Sequence, residues 1–516
     1  MSIIQIKNLT INHKKDLRPL LLDFSFTLND GERAVIISEE GNGKSTLLKL
    51  IYDAALVTDY VEHTGEILTQ GRILAYLPQE FPADKKSQTV YEYCLDTPAF
   101  MEQTPRELAA LAASLQLPKD FFYSDQPTGT LSGGEKVKLQ IALLCMIQPD
   151  AFLLDEPSND IDIETLEWLE TFLNTCGKSV LYVSHDETLI ERTANVIIHL
   201  EQVRRKTQPR ATVVRMPYRE YMQNRQDAFC RQEQLAANER REYQKQMERF
   251  RRIEQKVEAM QASITRQDPH GGQLLKKKMK AVKSQERRFE KGRENMTDMP
   301  DMEQAIFVKI LPENRLPAGK TVLDFTCDSL AVPNRILAQN VALRVIGPEK
   351  ICIIGRNGVG KTTLLKQIAD LLLPRNDLKV SYMPQDYADL LPEDQTPVEY
   401  LTHTGDKDEL TTIRTYLGSM HYTADEMSHH VNELSGGQKA KLLFLKMSLE
   451  GADCLILDEP TRNFSPLSGP VIRQVLQEFP GAIISISHDR KYIQEVCTKV
   501  YQLTENGLLP IPHPGK

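Results

Sequence analysis

The chain has 516 residues, of which 41% are hydrophobic and 26% charged, with 26 Gly and 28 Pro; this composition excludes a single small module, a collagen-like repeat and wholesale disorder. No apolar run approaches the roughly 18 to 20 residues that cross a bilayer, and the start Met1–Lys7 does not lead into a cleavable apolar stretch, so a cytoplasmic protein is expected. The eight cysteines show neither a CxxC pair nor His partners at metal-ligand spacing, and the net charge of −8 argues on average against a nucleic-acid binder, although an average can conceal a local patch.

In chain order, the first apolar β-type run, ERAVIIS, feeds the loop Ser38-Glu39-Glu40-Gly41-Asn42-Gly43 and then the helical pattern KSTLLKLI. Strand, glycine loop and helix predict a P-loop, in which backbone N–H groups and the helix N-terminus hold phosphates. The candidate ATP-binding residues are Ser38, Gly41, Gly43, Lys44, Ser45 and Thr46, with Lys44 on the β/γ oxygens and Ser45 on magnesium. Ser38 stands where the pattern asks for glycine, and Glu39 and Glu40 put two carboxylates beside a loop meant for an anion. The strand AYLP then ends at Gln79, whose amide is placed to reach magnesium or the attacking water. LSGGE follows, with Ser132, Gly133 and Gly134; the apolar run FLLDE ends in Asp155 and Glu156, and VLYVSH ends in His185. Asp155 would hold magnesium through water, Glu156 would polarise the hydrolytic water, and His185 would contact the γ-phosphate.

Between Tyr221 and Asn295 about 19 Lys and Arg face about 11 Asp and Glu, a local charge near +8 against about −16 elsewhere. Tyr243, Met247, Phe250, Ile253, Val257, Met260 and Ile264 recur at three- and four-residue steps, and Leu275, Met279, Val282 and Phe289 continue after a break, which predicts two long helices folded back on each other. The break, Arg266-Gln267-Asp268-Pro269-His270-Gly271-Gly272, cannot continue a helix and predicts the hairpin tip. Beyond it Lys276, Lys277, Lys278, Lys280, Lys283, Arg287 and Arg288 suit a polyphosphate surface; a merely solvated coiled-coil face is the plainer alternative.

The second half repeats the first. Ser132, Glu156 and His185 recur 303 residues later as Ser435, Glu459 and His488. EKICII leads into a complete P-loop containing Gly355, Asn357, Gly358, Gly360, Lys361, Thr362 and Thr363; SYMP precedes Gln385; LSGGQ holds Ser435, Gly436 and Gly437; and LILDE ends in Asp458 and Glu459. The candidate magnesium set is thus Ser45, Asp155 and Gln79 in one half and Thr362, Asp458 and Gln385 in the other. Two departures predict unequal sites: the Ser38-Glu39-Glu40 loop, and Arg462-Asn463-Phe464-Ser465, which lacks the aspartate that Asp162 supplies in the first half. No adenine-stacking aromatic stands out, and His13 is a weak candidate.

LSGGE and LSGGQ, with P-loop, Gln, DEP and His in this order, resemble the ATP-binding-cassette ATPases. That resemblance implies an α/β fold of two tandem cassettes closing head to tail, each ATP lying between one P-loop and the other signature helix. Tandem cassettes, no membrane domain and a basic helical hairpin resemble the ABC-F proteins, and QDPHGGQLLKKKMKAVKSQERRFE and DEPTRNFSPLS resemble more narrowly the antibiotic-resistance members of the Lsa and Vga type. The implied domains are a first cassette over 1–210, an antiparallel coiled-coil hairpin over 211–298 and a second cassette over 299–516. The implied cofactors are ATP and Mg2+, and the implied state is a monomer with an internal pseudo-dimer. The implied partner is the ribosome, 23S rRNA and tRNA near the exit site, where the tip would displace lincosamides, pleuromutilins and streptogramin A. A housekeeping ABC-F translation factor and the ATPase subunit of a membrane transporter are the rivals.

Overall fold

The computed structural model describes residues 2–15, 17–202, 208–262, 277, 279–281, 284, 316–332, 335–387, 390–392, 394–420 and 422–513. The chain divides into two compact units, Met1–Tyr218 with Glu303–Lys516, and Arg219–Met302. The first unit holds two six-stranded sheets of the same design. One runs Leu74–Leu77, Ala151–Asp155, Ser179–Val183, Arg33–Ser38, Val196–Gln202, with Gln208–Val214 antiparallel at its edge. The other runs Val380–Met383, Cys454–Asp458, Ala482–Ile486, Lys350–Ile354, Lys499–Thr504, with Gly507–Ile511 antiparallel at its edge. The expected boundary between residues 210 and 211 would cut the strand Gln208–Val214, whose N–H and C=O groups are paired along Val196–Gln202, so the first cassette continues through Val214.

Every residue of Ala151–Asp155, Ser179–Val183, Cys454–Asp458 and Ala482–Ile486 is buried. Parallel strands covered on both faces read as unbroken apolar runs, and this is why the carboxylates at their ends were conspicuous. The helices after the two P-loops, Lys44–Tyr52 and Lys361–Leu372, press Leu47, Leu48, Leu50 and Ile51, and Leu364, Leu365, Ile368 and Leu372, into the cores. A smaller antiparallel sheet accompanies each half: Pro19–Asn29, Ser2–His13 and Val61–Leu68 in the first, Thr321–Val332 and Arg335–Ile346 in the second. The third strand has a plain origin, since Lys44 to Gln79 spans 35 residues and Lys361 to Gln385 only 24.

The missing aspartate of the second half also has a visible effect. Asp162 accepts a hydrogen bond from the Thr165 N–H and starts the helix Ile163–Thr175, as an N-cap should. At the corresponding Ser465 no such cap forms, and the helix begins only at Gly469.

The two cassettes are tied by an ion-pair network whose signs are reversed between the copies. At the 303-residue offset Glu170 corresponds to Arg473, Glu187 to Arg490 and Arg192 to Glu495. Arg473 holds Glu187 with two hydrogen bonds, 2.7 and 3.2 Å, both side chains almost fully buried. Arg490 reaches Glu170 at 2.5 Å and Asp186 at 3.4 Å, and Lys491 lies 3.2 Å from Glu187. Within each cassette the same design is mirrored, Arg192 on Glu170 at 3.0 Å and Arg473 on Glu495 at 2.7 Å. Two identical first cassettes would bring glutamates against glutamates, so the reversal admits only the first-with-second pairing.

In the second unit the helix Tyr218–Ala262 has 45 residues, roughly 68 Å at 1.5 Å per residue. Phe250 is buried and Tyr243 and Met247 are half-buried as the periodicity predicts, but Ile253 is 50% exposed and Glu254 takes its place. At about 100° per residue Ile253 lies roughly 90° from the centre of the face defined by 243, 247 and 250. Lys277 and Lys280 are helical and exposed. The expected tip Arg266, Gln267, Asp268, Pro269, His270, Gly271 and Gly272, with Lys276, Lys278, Lys283, Arg287 and Arg288, lies outside the described residues, as does most of the second helix. No described helix is long and apolar enough to cross a membrane.

Removing one partner of the buried pair should be costly. Arg473→Ala is expected to destabilise the first unit by about 3 kcal/mol, the low end for an orphaned buried charge because Lys491 still faces Glu187. The swapped double variant Glu187→Arg with Arg473→Glu should recover part of the loss in thermal unfolding; equal melting of Arg473→Ala and the parent would show that the network does not hold the cassettes.

Candidate functional site

The larger of the two clefts, about 810 Å3, is lined from both cassettes: Ser132 and Gly133 of the first signature face Gly358, Gly360, Lys361, Thr362 and Thr363 of the second P-loop, with Gln385, Asp458, Glu459 and His488. Local chemistry puts each there. Gly360 precedes the helix at φ 101, and a Cβ on it would stand 2.8 Å from Leu337, so only glycine fits the turn. Lys361 folds back onto the carbonyls of Gly355 and Arg356 at 2.8 and 3.0 Å, which parks its ammonium within the loop that would surround a phosphate. The strand Cys454–Asp458 delivers Asp458 and then Glu459, whose φ of 51 is left-handed, a strained setting for glutamate. The identical φ of 51 recurs at Glu156.

The charges in this cleft are poised unequally. Burial, with the neighbouring Asp458 carboxylate, pushes the Glu459 carboxyl up to about 8. Burial and Lys361 bring the His488 imidazole down to about 4, against the pull of Asp162, so it is neutral near pH 7. The His488 backbone N–H donates to Glu459 Oε2 at 3.2 Å, while its ring Nε2 stands 3.7 Å from Glu459 Oε1. Asp458 bonds the Thr362 hydroxyl, and its other oxygen, Oδ2, is buried without a hydrogen-bond partner among the described residues. An orphaned carboxylate oxygen beside a hydroxyl is the donor set a magnesium ion takes.

The smaller cleft, about 520 Å3, holds Gly41, Gly43, Lys44, Ser45, Thr46, Gln79, Glu156 and His185. Ser45 donates to Asp155 at 2.9 Å, and Tyr76 adds a second hydrogen bond at 3.3 Å; even so, burial raises the Asp155 carboxyl to about 6. Here again hydroxyl and carboxylate fit a divalent cation. His185 Nε2 lies 2.9 Å from Glu156 Oε1. Burial disfavours the charged Glu156, but His185 and then Lys44 outweigh it and hold the carboxyl below its ordinary range. Lys44 packs against the carbonyls of Ser38 and Glu39 at 3.1 and 3.3 Å. Ser38 is buried, and its hydroxyl donates to the Glu39 carbonyl.

Both signature segments begin helices, Gly133–Met146 and Gly436–Glu450, each started by a serine whose hydroxyl accepts from the N–H of Glu135 or Gln438 while that side chain bonds back to the serine N–H. The glycines are steric necessities: a Cβ on Gly133 would collide with the Asp160 carbonyl, and one on Gly437 would stand 2.8 Å from that of Asn463. Gly134 similarly abuts Thr165.

Some lining residues escaped the sequence reading. His13 does line the smaller cleft, but Arg18, Leu20 and Tyr60 stand with it; Val332, Arg335 and Leu337 line the larger one. They belong to the small antiparallel sheets and their flanks, which carry no motif. Asn159, Asp160 and Arg462, after the DEP segments, also line the clefts, and Asp160 meets Arg462 at 2.9 Å across the two cassettes.

Comparison with known proteins agrees with this geometry. The family model described as ABC transporter matches residues 21–159 and 338–462. The chain is 28% identical over 502 residues to "Ribosome protection protein VmlR" of Bacillus subtilis, covering 93% of this chain and 83% of that protein. It is 25% identical to "Probable ATP-binding protein YheS" of Escherichia coli K12, covering 96% and 78%. Among solved structures, the complex of archaeal ribosomal stalk protein aP1 with archaeal ribosome recycling factor aABCE1 shares the fold, at a TM-score of 0.58 and 17% identity over 98% of this chain and 90% of that one. The chain belongs to the ATP-binding-cassette family, as an ABC-F member that hydrolyses ATP with two cassettes on one polypeptide.

Proposed function

We propose that this ATPase binds the ribosome in its ATP-bound form, displaces antibiotics of the lincosamide, pleuromutilin and streptogramin A classes from near the peptidyl transferase centre, and leaves on hydrolysis. The observation that carries the ATP-dependent part is the larger cleft, where the first signature and the second P-loop share one cavity. A nucleotide filling it is held by both cassettes, so its presence favours the closed pair by whatever it gains from the second wall.

The residues divide the work as follows. Lys361 and Lys44 leave their loop carbonyls for the β/γ oxygens, and the N–H groups at the signature helix N-termini meet the γ-phosphate. Thr362 with Asp458, and Ser45 with Asp155, would hold magnesium, Gln385 and Gln79 facing it; bound there, the ion neutralises charge on the β- and γ-phosphates. Glu156 Oε2, buried and without a hydrogen-bond partner among the described residues, accepts a proton from the attacking water. His185, 2.9 Å from the other oxygen, keeps that carboxylate charged and oriented. In the second site Glu459 stands in the corresponding place, but burial pushes its carboxyl up to about 8, and His488, 3.7 Å away and neutral near pH 7, does not hold it charged.

Ribosome binding rests on two supports. One is the net positive charge of Tyr221–Asn295, a segment suited to rRNA phosphates. The other is the likeness over 93% of the chain to a protein named for ribosome protection. The hairpin that follows Val214 and runs to about residue 298, with its tip at 266–272, is the proposed ribosome-contacting domain, and the cytoplasm the proposed location.

Glu156→Gln with Glu459→Gln should lower ATP turnover by about a hundredfold or more and make the protein sediment with ribosomes in ATP. A double variant that stays in the ribosome-free fraction would refute the proposal. If the basic segment makes about six phosphate contacts, ribosome affinity should drop on the order of a thousandfold between roughly 50 and 200 mM salt; a flat salt response would exclude it as the contact. Substitutions within Arg266–Gly272 should abolish drug protection in cells while leaving turnover within about twofold, since the segment carries none of the nucleotide-binding motifs; parallel loss of both would refute a separate tip role.

A further inference from the structure

The two nucleotide clefts differ at one position in a way that neither motif nor fold requires. In the second P-loop Asn357 follows Arg356, and its amide donates to the Asp160 carbonyl of the first cassette at 2.6 Å. The first signature then remains a wall of the open cleft, with Ser132 and Gly133 lining it. In the first P-loop the corresponding residue is Glu40. Its Oε2 accepts a hydrogen bond from the Gly437 N–H of the second signature at 2.6 Å. Both carboxylate oxygens lie against the glycine pair, 3.3 and 3.4 Å from where a Cβ on Gly436 would stand. Glu39 reaches the same helix one turn on, 3.5 Å from Lys441. Among the described residues lining the smaller cleft, none comes from Ser435–Gly437.

We infer that Glu40 is an internal stand-in for the γ-phosphate at the first site: its carboxylate fills the anion seat of the second signature helix, and ATP must displace it to bridge the two cassettes there.

The chemistry is that of a charged cap. The N-terminus of the 15-residue helix Gly436–Glu450 offers unpaired N–H groups and the positive end of the helix dipole to whatever anion is nearest. A γ-phosphate and a carboxylate satisfy the same groups, and they cannot do so together without repelling each other. ADP has no γ-phosphate, so it contacts the P-loop without contesting Glu40. The first site should therefore discriminate against the triphosphate specifically, which the second site, with a neutral Asn357, should not do. This rests on reading the two clefts as the ATP sites.

The test compares Glu40→Asn, which installs the residue of the second copy, with Glu40→Gln, which removes the charge and keeps the length. Binding of fluorescent AMP-PNP and ADP, each with magnesium, is titrated to the full chain, with and without Lys361→Ala to weaken the second site. Both variants should bind AMP-PNP at the first site about tenfold more tightly than the parent, with ADP affinity changed less than about threefold. Unchanged AMP-PNP affinity in both variants would overturn the inference. So would an equal gain for ADP and AMP-PNP, which would mean that Glu40 repels the P-loop phosphates generally and does not compete at the signature. AMP-PNP binding at the second site of the parent is the internal control: its absence would sink the reading of the clefts themselves, whereas its presence beside an unchanged first site sinks only the role of Glu40.

Discussion

The contact between Arg473 and Glu187 decides which surfaces of the two cassettes can meet. It is bidentate, almost dry and surrounded by further charges of fixed sign, and the network it anchors borders the larger cleft, since Asp186 and Asp489 line that cavity. Everything proposed about the clefts needs the first signature against the second P-loop and the second signature against the first P-loop. Helix N-termini and glycine loops are sticky toward any anion; the long-range order that makes them face one another comes from this side-chain network and from the Asn357–Asp160 and Arg462–Asp160 contacts beside it.

Within that frame, the chemistry is concentrated where the backbone is least relaxed. Glu156 and Glu459 both sit at the end of a fully buried strand in a left-handed conformation, with their N–H groups tied to Val183 and Ile486 of the neighbouring strand. Such a turn throws the carboxylate off the sheet edge and into the cleft. The strain is tolerated because the strands on either side are held rigidly in the core. The electrostatic settings of the two copies diverge even though the backbone does not: one glutamate is held charged by a close imidazole, the other is driven toward its neutral form by burial next to Asp458.

Much of this was legible in the sequence for a simple reason. Strands covered on both faces must be continuous apolar runs, and loops that hold phosphates must be glycine-rich, so P-loops, signatures and strand-end carboxylates announce themselves, and repetition at a constant offset confirms them. The missing aspartate at Ser465 was visible too, but its effect on the helix, which begins only at Gly469, was seen first in the structure. What stayed hidden was information carried by surfaces. Tyr60 and Arg335 gain meaning only when a small sheet folds over a cleft. Glu40 looked like a local oddity of one loop, and its partner lies 397 residues away. The sign reversals at Glu170/Arg473, Glu187/Arg490 and Arg192/Glu495 were visible in principle at the same offset that revealed the repeat, but a comparison that looks for identity passes over positions where opposition is the signal. Ile253 failed for a different reason: three-residue steps drift around a helix, and the stripe had moved past it.

The sign-reversed network also bears on the origin of the molecule. A duplicated cassette begins with two equal halves, each as ready to join a copy of itself as its twin. Once one half has become acidic and the other basic at matching places, the halves recognise each other by their own surfaces, and the peptide that connects them is freed from enforcing the match. Its length and composition can then drift toward an entirely different task.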